Sequence, residues 1–318
     1  MISNIKVEKT PKPFIYRRLH SFMGLMLVLF LLEHLITNSQ TAYFIGDDGN
    51  GFIKSVNFIH SLPYLPVLEI LLLGIPFAIH IIWGIKYAWE SKSNSYENTG
   101  ITPYLPDYPR NHAYTWQRIT SWILIVAVLL HVYQMRFSAY PVKEKINGEA
   151  LYLVPVTLDD GLYTLSKRIN VTLYDRKQIE ALSSKISTFK ENQEDSKVQN
   201  ALAKQTKEEE NQFLSALNRP SLKENEGMAV SKNPGTAFLL NVREVFKSLT
   251  MRIFYTLFVI FAAFHACNGL FTFAISWGIT LSQRSQKLMR TFSNGLMALL
   301  IFLGLSAIWF STLINLKQ

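Results

Sequence analysis

The sequence is short of cysteine and of charged residues, and each shortage excludes a class of protein. Its 318 residues contain a single cysteine, Cys267, so neither a disulfide within the chain nor a C-x-x-C-H attachment of a covalent haem is possible. Charged residues make up only 17% of the chain and hydrophobic residues 49%, which is too apolar for an ordinary soluble domain of this length. We therefore expect a membrane protein that binds any cofactor without a covalent bond.

Acidic residues are scarce in the apolar part of the chain. Between Ser138 and Thr250 there are 16 Lys/Arg and 15 Asp/Glu, whereas the rest of the chain has 16 Lys/Arg and only 8 Asp/Glu. Most of the net charge of +9 therefore lies around the apolar segments, where cations mark helix ends that face anionic lipid or a partner. Nucleic-acid binding is the competing explanation of a basic chain, but here the basic residues flank apolar spans and form no single stripe.

Five apolar segments approach or exceed the roughly 20 residues needed to cross a bilayer. The first resembles a signal peptide, but its apolar stretch is longer than the usual core of about 7–15 residues, so we expect a retained helix. Lys and Arg in the short flanks predict an N-terminus inside the cell and a C-terminus outside. The predicted spans are 18–40, 64–89, 116–137, 251–280 and 288–314.

The spans predict three parts: helices I–III within 1–137, an outer insertion at 138–250, and helices IV and V within 251–318. In the insertion, LYLVPVTLDDGLYTL alternates apolar and polar residues around Asp159-Asp160-Gly161, which predicts a β-hairpin.

A helical stretch follows in the insertion, from Asp175 to about Asn218. Gln178 stands three residues after Asp175 as a capping-box partner. The polar run after residue 190 has little to bury, so we expect a solvated helical hairpin. The segment NPGTAFLLNVREVFKS then predicts a short interfacial helix leading into the fourth span.

One histidine falls in each of the first four spans: His34, His80, His131 and His265. Taken singly, each is explained by a polar bond between helices. A rise of about 1.5 Å per residue places His34 and His131 roughly 9 Å from the outer ends of their spans, and His80 and His265 roughly 21–24 Å from theirs. Neutral imidazole binds iron, and haem iron takes two axial ligands. We therefore predict an outer haem on the first pair and an inner haem on the second, roughly 12–15 Å apart.

Further residues fit two haems. Gly84 and Gly269 follow His80 and His265 by four positions, on the same helix face, where a glycine lets a ring lie close to the backbone. Haem propionates need cationic or hydrogen-bonding partners near a membrane face, and RRLHS and WQRIT open the first and third spans. Positive-inside flanking explains the arginines equally well. The candidate propionate residues are Arg17, Arg18, His20, Ser21, Gln117 and Arg118.

Several motifs recur together in one order: RRLHSFMG, the step to HLITN, HSLPYLPVLEI leading to His80, and FHACNGLFTFAISWGIT followed by RSQ. In this order they resemble the di-haem cytochrome b anchor of succinate:quinone oxidoreductases, the succinate dehydrogenases and fumarate reductases. The single-subunit, five-helix type that works with menaquinone in bacteria is the most similar. The resemblance covers about 20–137 and 235–314, and the insertion at about 138–232 departs from it.

The resemblance implies an all-α protein of the bacterial inner membrane, with four helices around two b haems and a fifth helix beside them. It implies partner subunits, a flavoprotein that oxidises succinate and an iron–sulfur protein, with electrons passing here through the inner and outer haems to menaquinone. His20 and Ser21 match positions where the family binds propionates. No succinate-converting site is expected on this chain.

A quinone needs protons at its two carbonyls, so ionisable groups near the outer haem matter. Glu33, Glu69 and Arg136 are candidates by depth, although Glu33 is equally explained by a bond to a neighbouring helix. Two other functions stay open: a cytochrome b that serves a formate dehydrogenase or hydrogenase, and a transporter that uses the intramembrane histidines without haem.

Overall fold

The fold was obtained as a computed structural model, which describes residues 10–43, 46–92, 94–96, 104–146, 148–187, 197–314 and 316. The helices it contains are, in chain order, α1 (Lys12–Ser39), α2 (Asn50–Ser61), α3 (Leu65–Glu90), α4 (Pro109–Ser138), α5 (Asp160–Arg168), α6 (Arg176–Ser187), α7 (Lys197–Asn218), α8 (Pro234–Lys247), α9 (Leu249–Ser276) and α10 (Gln283–Leu313). Four strands, β1 (Val142–Ile146), β2 (Glu149–Thr157), β3 (Thr172–Tyr174) and β4 (Glu226–Ser231), form one antiparallel sheet in the order β1-β2-β4-β3.

Five of these helices, α1, α3, α4, α9 and α10, are long and apolar enough to cross a membrane. Their most apolar stretches have mean hydropathies between 1.5 and 2.2. A helix satisfies its own backbone hydrogen bonds, which is what the water-free core of a bilayer requires. The prediction of an all-α membrane protein with five spans is confirmed.

Three of the described spans contain a π turn, in α3, α4 and α10, and the one in α3 lies close to a proline. Pro76 has no N–H to donate, and its ring excludes the regular preceding turn. The chain takes a π turn at Ile70–Gly74, directly before this proline. Four residues further along the same helix lies His80.

The chain divides into two compact units. Unit 1 comprises Met1–Leu35, Tyr64–Leu129 and Leu257–Leu303, and unit 2 comprises Ile36–Pro63, Leu130–Thr256 and Gly304–Gln318. Unit 2 therefore includes the connection between the first two spans as well as most of the insertion, whereas the sequence predicted the insertion as a separate part.

Unit 1 packs α1, α9 and α10 around a small apolar cluster. Its buried members include Leu35, Leu300 and Leu303, and the small side chains of Ala263 and Cys267 lie between them. Small residues let helices approach closely, and this is the usual way in which helices pack within lipid. Large apolar side chains cover the outside of the unit, as expected for a surface that meets lipid rather than water.

The predicted hairpin position in unit 2 is wrong. Strand β2 ends at Thr157, and Asp159 is the N-cap of α5, where its carboxylate accepts a hydrogen bond of 2.8 Å from the Leu162 N–H. The hairpin is formed by β1 and β2, and Gly148 between them has φ +78°. Asp-Asp-Gly serves a helix start as well as it serves a turn, because aspartate caps a helix with the same side chain that stabilises turns.

The helix expected at the membrane interface exists as α8, but it is buried inside unit 2 and not at a surface. Leu239 and Leu240 are at most 1% exposed, and α8 packs against α2 and β2. At Gly235 an added methyl group would clash with the Ile53 carbonyl, and the Gly235 N–H donates to the Asn57 side chain at 2.7 Å. An amphipathic pattern does not distinguish lipid from protein as the neighbour of the apolar face, which explains the error.

Two basic residues of α8, Arg243 and Lys247, form ion pairs with the carboxylate of Asp159. Arg243 is 1% exposed, and its guanidinium donates to both carboxylate oxygens of Asp159, at 2.6 and 3.0 Å. Lys247 Nζ lies 2.7 Å from the same carboxylate. Burial opposes ionisation of Asp159, but hydrogen bonds from Arg243, Lys247 and the Leu162 N–H outweigh it and lower the pKa of Asp159 to about 2.

The capping box predicted at Asp175 is confirmed. The Asp175 N–H donates to Gln178 Oε1 at 2.9 Å, and the Gln178 N–H donates to Asp175 Oδ1 at 2.7 Å. Helices α6 and α7 pack against each other, and Ile179 and Leu217 join a cluster with Met228 of the sheet. The helices therefore cover the sheet and are not fully solvated; residues 188–196 of the predicted stretch lie outside the described residues.

Candidate functional site

Three histidines from three different spans meet in unit 1. The rings of His20 on α1 and His80 on α3 stack with centroids 4.2 Å apart and planes 10° from parallel. The ring of His265 on α9 lies 6.3 Å from that of His80, at 81° to it. The two histidines of the predicted inner pair, 185 positions apart in the chain, are therefore neighbours in space.

Hydrogen bonds define which nitrogen of each inner histidine is available. His80 Nδ1 lies 3.1 Å from the His20 carbonyl oxygen, which only accepts, so this nitrogen carries the proton. His265 Nδ1 lies 3.3 Å from Thr120 Oγ1, whose own proton is directed to the Trp116 carbonyl at 2.8 Å. Both neutral imidazoles therefore present the lone pair of Nε2, the state in which a histidine binds a metal.

The predicted outer histidines lie in different units. His34 belongs to unit 1, where its ring lies 5.4 Å from that of Phe30. His131 belongs to unit 2, and its Nδ1 lies 3.2 Å from the hydroxyl oxygen of Tyr255. Tyr255 donates to Gln134 Oε1 at 3.0 Å, so its oxygen accepts from His131 Nδ1–H. The pairing of His34 with His131 stays a prediction.

Glycines surround the inner histidines. A methyl group added at Gly24 would lie 2.9 Å from His80 Cε1, so α1 and α3 approach this closely only with glycine there. Additions at the predicted positions would lie 3.4 Å from His20 Cε1 at Gly84 and 3.6 Å from Gln117 Nε2 at Gly269. The sequence reasoning missed Gly24, although it ends the motif RRLHSFMG. A glycine on one face of α1 was visible in the sequence, but the helix that packs against that face was not.

Two of the predicted propionate residues on α1 contact the end of α9. Arg18 Nη2 donates to the Ser276 carbonyl at 3.3 Å, and Ser21 Oγ accepts from the Trp277 indole N–H at 2.9 Å. Gln117 on α4 donates to the His265 carbonyl at 3.0 Å. Trp277 was not singled out from the sequence.

The remaining propionate candidates differ in position. Arg118 stacks on Tyr114, with its guanidinium carbon 3.1 Å from the ring centroid, whereas Arg17 is exposed on the surface of α1. Within the described residues, three buried nitrogens of this set have no hydrogen-bond partner: Arg18 Nε, His20 Nδ1 and Arg118 Nε. Unpartnered donors on cationic side chains suit an anionic group.

The three candidates for quinone chemistry occupy separate positions. Glu33 is exposed on α1, and Glu69 is half-buried directly before the π turn of α3. Arg136 of unit 2 is exposed and donates to the Tyr140 hydroxyl at 3.2 Å.

The inner histidines fit a haem better than a metal ion held by protein alone. Among the described residues there is no group of three or more His, Cys, Asp or Glu side chains able to hold a metal ion. A haem iron needs only two axial ligands, because the macrocycle supplies the others. The 6.3 Å between the centroids of His80 and His265 lies in the range for two imidazoles that share one metal ion through bonds of about 2 Å.

The chain is thus a helical membrane protein with five candidate spans and histidines on four of them. It is similar to the succinate dehydrogenase cytochrome b558 subunit of Bacillus subtilis (strain 168), with 31% identity over 129 residues. The alignment covers 40% of this chain, and the chain spans 58% of the length of that relative. No family model and no solved structure matches the chain.

Proposed function

We propose that this chain is the membrane anchor and cytochrome b subunit of a succinate:quinone oxidoreductase. In this role it takes electrons from an iron–sulfur subunit and passes them through two b haems to menaquinone. The observation that carries the proposal is the pair His80 and His265, with ring centroids 6.3 Å apart and each Nδ1 held by an oxygen. The similarity to a protein named as a cytochrome b558 subunit supports the same conclusion.

For the inner haem, the chain's own groups supply ligands, orientation and charge. His80 and His265 would hold the haem iron, and the His20 carbonyl and the Thr120 hydroxyl would hold their tautomers. Haem, when bound, supplies one-electron redox chemistry. Arg18 offers a buried guanidinium nitrogen without a partner among the described residues, as a donor to a propionate.

For the outer haem, we assign His34 and His131 as ligands on their predicted common depth. His131 is prepared for this role in the same way as the inner ligands, because Tyr255 accepts from its Nδ1. Burial of Tyr255, which is 5% exposed, protects this hydrogen bond from water.

Menaquinone reduction is assigned to the neighbourhood of the outer haem, with Glu33, Glu69 and Arg136 as candidate proton or quinone ligands. The proposed partners are the flavoprotein and iron–sulfur subunits, which hold the succinate-converting chemistry. The proposed orientation places the N-terminus in the cytoplasm and the C-terminus outside, because Lys and Arg are concentrated at the alternating ends that this topology puts inside.

Purification in detergent with subunit identification and a haem count tests the proposal. We expect two haems b per chain, together with a flavoprotein and an iron–sulfur protein. A formate dehydrogenase or hydrogenase among the co-purifying subunits would keep the haems and reassign the complex. A reduced-minus-oxidised spectrum without b-type absorption would leave the transporter as the better explanation.

A further inference from the structure

A cavity of about 180 Å³ lies in unit 1 among α4, α9 and α10, and the haem proposal does not use it. Its wall is divided by chemistry. Ala113, Phe264 and Met297 contribute apolar surface, whereas amides, a hydroxyl and two guanidiniums contribute polar surface. The polar residues are Arg110, Asn268, Arg290, Ser293 and Asn294.

The two arginines of this cavity gather at one aromatic ring. The guanidinium carbon of Arg110 lies 4.1 Å from the ring centroid of Phe271, and that of Arg290 lies 5.9 Å from the same centroid. Arg110 also donates to Asn268 Oδ1 at 3.0 Å, and within the described part of the chain neither guanidinium forms an ion pair with a carboxylate. Two cations at one ring repel each other unless an anion lies between them.

A buried hydroxyl supplies an independent observation. Ser293 lines the cavity and is 4% exposed, and its Oγ has no hydrogen-bond partner among the described residues. A serine in a helix ordinarily satisfies its hydroxyl on the carbonyl of the preceding turn. A buried hydroxyl without a partner is unfavourable, and an acceptor placed in the cavity would satisfy it.

We propose that this cavity binds the phosphate of an anionic phospholipid such as phosphatidylglycerol. Arg110 and Arg290 donate to the phosphate oxygens in the fork geometry that guanidinium offers, and Ser293 donates a further hydrogen bond. The apolar wall takes the glycerol and the first methylenes of the acyl chains. Basic pockets between membrane helices on the cytoplasmic side have this preference.

The position of the cavity favours a lipid over a soluble anion. It lies between helices long enough to span a membrane, next to the start of α10, which carries Arg284 and Lys287 and which we expect at the inner leaflet. A free phosphate has no apolar group to pack against Phe264 and Met297. The proposal rests on the five spans and does not depend on the haems.

Arg290 is the better residue to change. Arg110 is connected to the inner site by a series of hydrogen bonds. Arg110 donates to Asn268, and the Asn268 amide donates to Gln117 at 2.8 Å. Gln117 in turn donates to the His265 carbonyl. Arg290→Gln removes one cation from the cavity without breaking that chain. Arg284→Gln is the matched control, because it removes the same charge at the start of the same helix from a residue that does not line the cavity.

The experiment uses the full complex in detergent, with native mass spectrometry counting retained phosphatidylglycerol and phosphatidylcholine across a titration of each. We expect one tightly held phosphatidylglycerol per chain in the wild type and in Arg284→Gln. In Arg290→Gln its affinity falls about tenfold or more, as for the loss of a charged hydrogen bond, and in Ser293→Ala severalfold. An unchanged elution volume and an unchanged far-UV circular-dichroism spectrum show that each variant is folded.

The contrary outcomes are distinct. Equal retention by wild type and Arg290→Gln, or equal losses in Arg284→Gln and Arg290→Gln, overturns the site. Equal affinity for phosphatidylcholine overturns the charge recognition. Displacement of phosphatidylglycerol by millimolar inorganic phosphate identifies a free-anion site, and loss of the iron–sulfur subunit from Arg290→Gln with lipid retained identifies a protein contact. Both of these overturn the lipid assignment.

Discussion

His131 Nδ1 and the Tyr255 hydroxyl lie 3.2 Å apart, and the tyrosine hydroxyl donates a hydrogen bond to Gln134 Oε1 at 3.0 Å. In this hydrogen-bond relay the Nδ1–H of His131 donates to an oxygen whose own hydrogen is directed to Gln134. A hydrogen bond of this kind sets the orientation of a histidine ring.

Tyr255→Phe removes this acceptor and keeps the ring. We expect the affinity for one of the two haems to fall by about 10–100-fold, as for other partners of metal-bound histidines. Haem content by pyridine haemochrome and the midpoint potentials of the two haems measure it. Tyr133→Phe, at an exposed position of the same span as His131, is the control. Unchanged content and potentials in Tyr255→Phe would show that the relay does not orient a ligand.

Alanine substitutions of the four span histidines should act in pairs. We expect His34→Ala and His131→Ala to remove the same haem, and His80→Ala and His265→Ala to remove the other. Low-temperature spectra of reduced membranes distinguish the two haems. His112→Ala, whose ring bonds the Pro106 carbonyl outside the candidate site, should leave both in place. Loss of different haems from His34→Ala and His131→Ala would contradict the depth argument.

Gly24→Ala tests the approach of α1 to His80. The added methyl group would lie 2.9 Å from His80 Cε1, so the imidazole has to move. Overpacking of this kind costs about 1–3 kcal/mol, and we expect the inner haem to bind more weakly or to shift its spectrum. Gly295→Ala is a matched control, since nothing lies within 4 Å of a methyl group added there. An identical inner-haem spectrum in Gly24→Ala and wild type would show that the contact is not constraining.

The Asp159 cluster of unit 2 predicts a dependence of stability on pH. The folded pKa of Asp159, about 2, lies below its ordinary value of 3.8, so ionised Asp159 stabilises the fold fully above about pH 4. That contribution is lost progressively as the pH falls through about 2. Hydrogen exchange of the amides of α5 and α8, measured in detergent between pH 5 and pH 2.5, should show protection falling with pH.

Asp159→Asn should remove this dependence and destabilise unit 2 near pH 7. We expect a loss of about 3 kcal/mol, because buried Arg243 loses the carboxylate that binds two of its nitrogens, while Glu244 stays at 3.2 Å. Asp160→Asn changes the adjacent, exposed carboxylate and should cost far less. If both variants showed the same protection and the same pH profile, the ion cluster would not be what holds α8 in place.

Some contacts were predictable because they depend on neighbours in the chain. The capping box of Asp175 and Gln178 needs only three residues of helix, and it formed as expected. The close approach of His80 and His265 was predictable for another reason: the rise of a helix across a slab of known thickness gives the approximate depth of each residue, and these two had similar predicted depths.

Other features depended on which element lies opposite. The turn signal at Asp159-Asp160-Gly161 became a helix start once Arg243 of α8 supplied a partner for the carboxylate. The apolar residues of α8 pack against α2 and β2 and not against a membrane surface. In both cases the partner lies more than ten residues away along the chain, so the local sequence does not specify the contact.

The sequence by itself determined the five spans and predicts a depth for each histidine, because hydropathy and helical rise are properties of local chain segments. Only the tertiary structure decided which oxygen holds each imidazole Nδ1, why Gly24 must lack a side chain, and where Arg110 and Arg290 meet. These are contacts between residues 56 to 180 positions apart, and they depend on how packed helices rotate about their axes, which hydropathy along one chain segment does not specify.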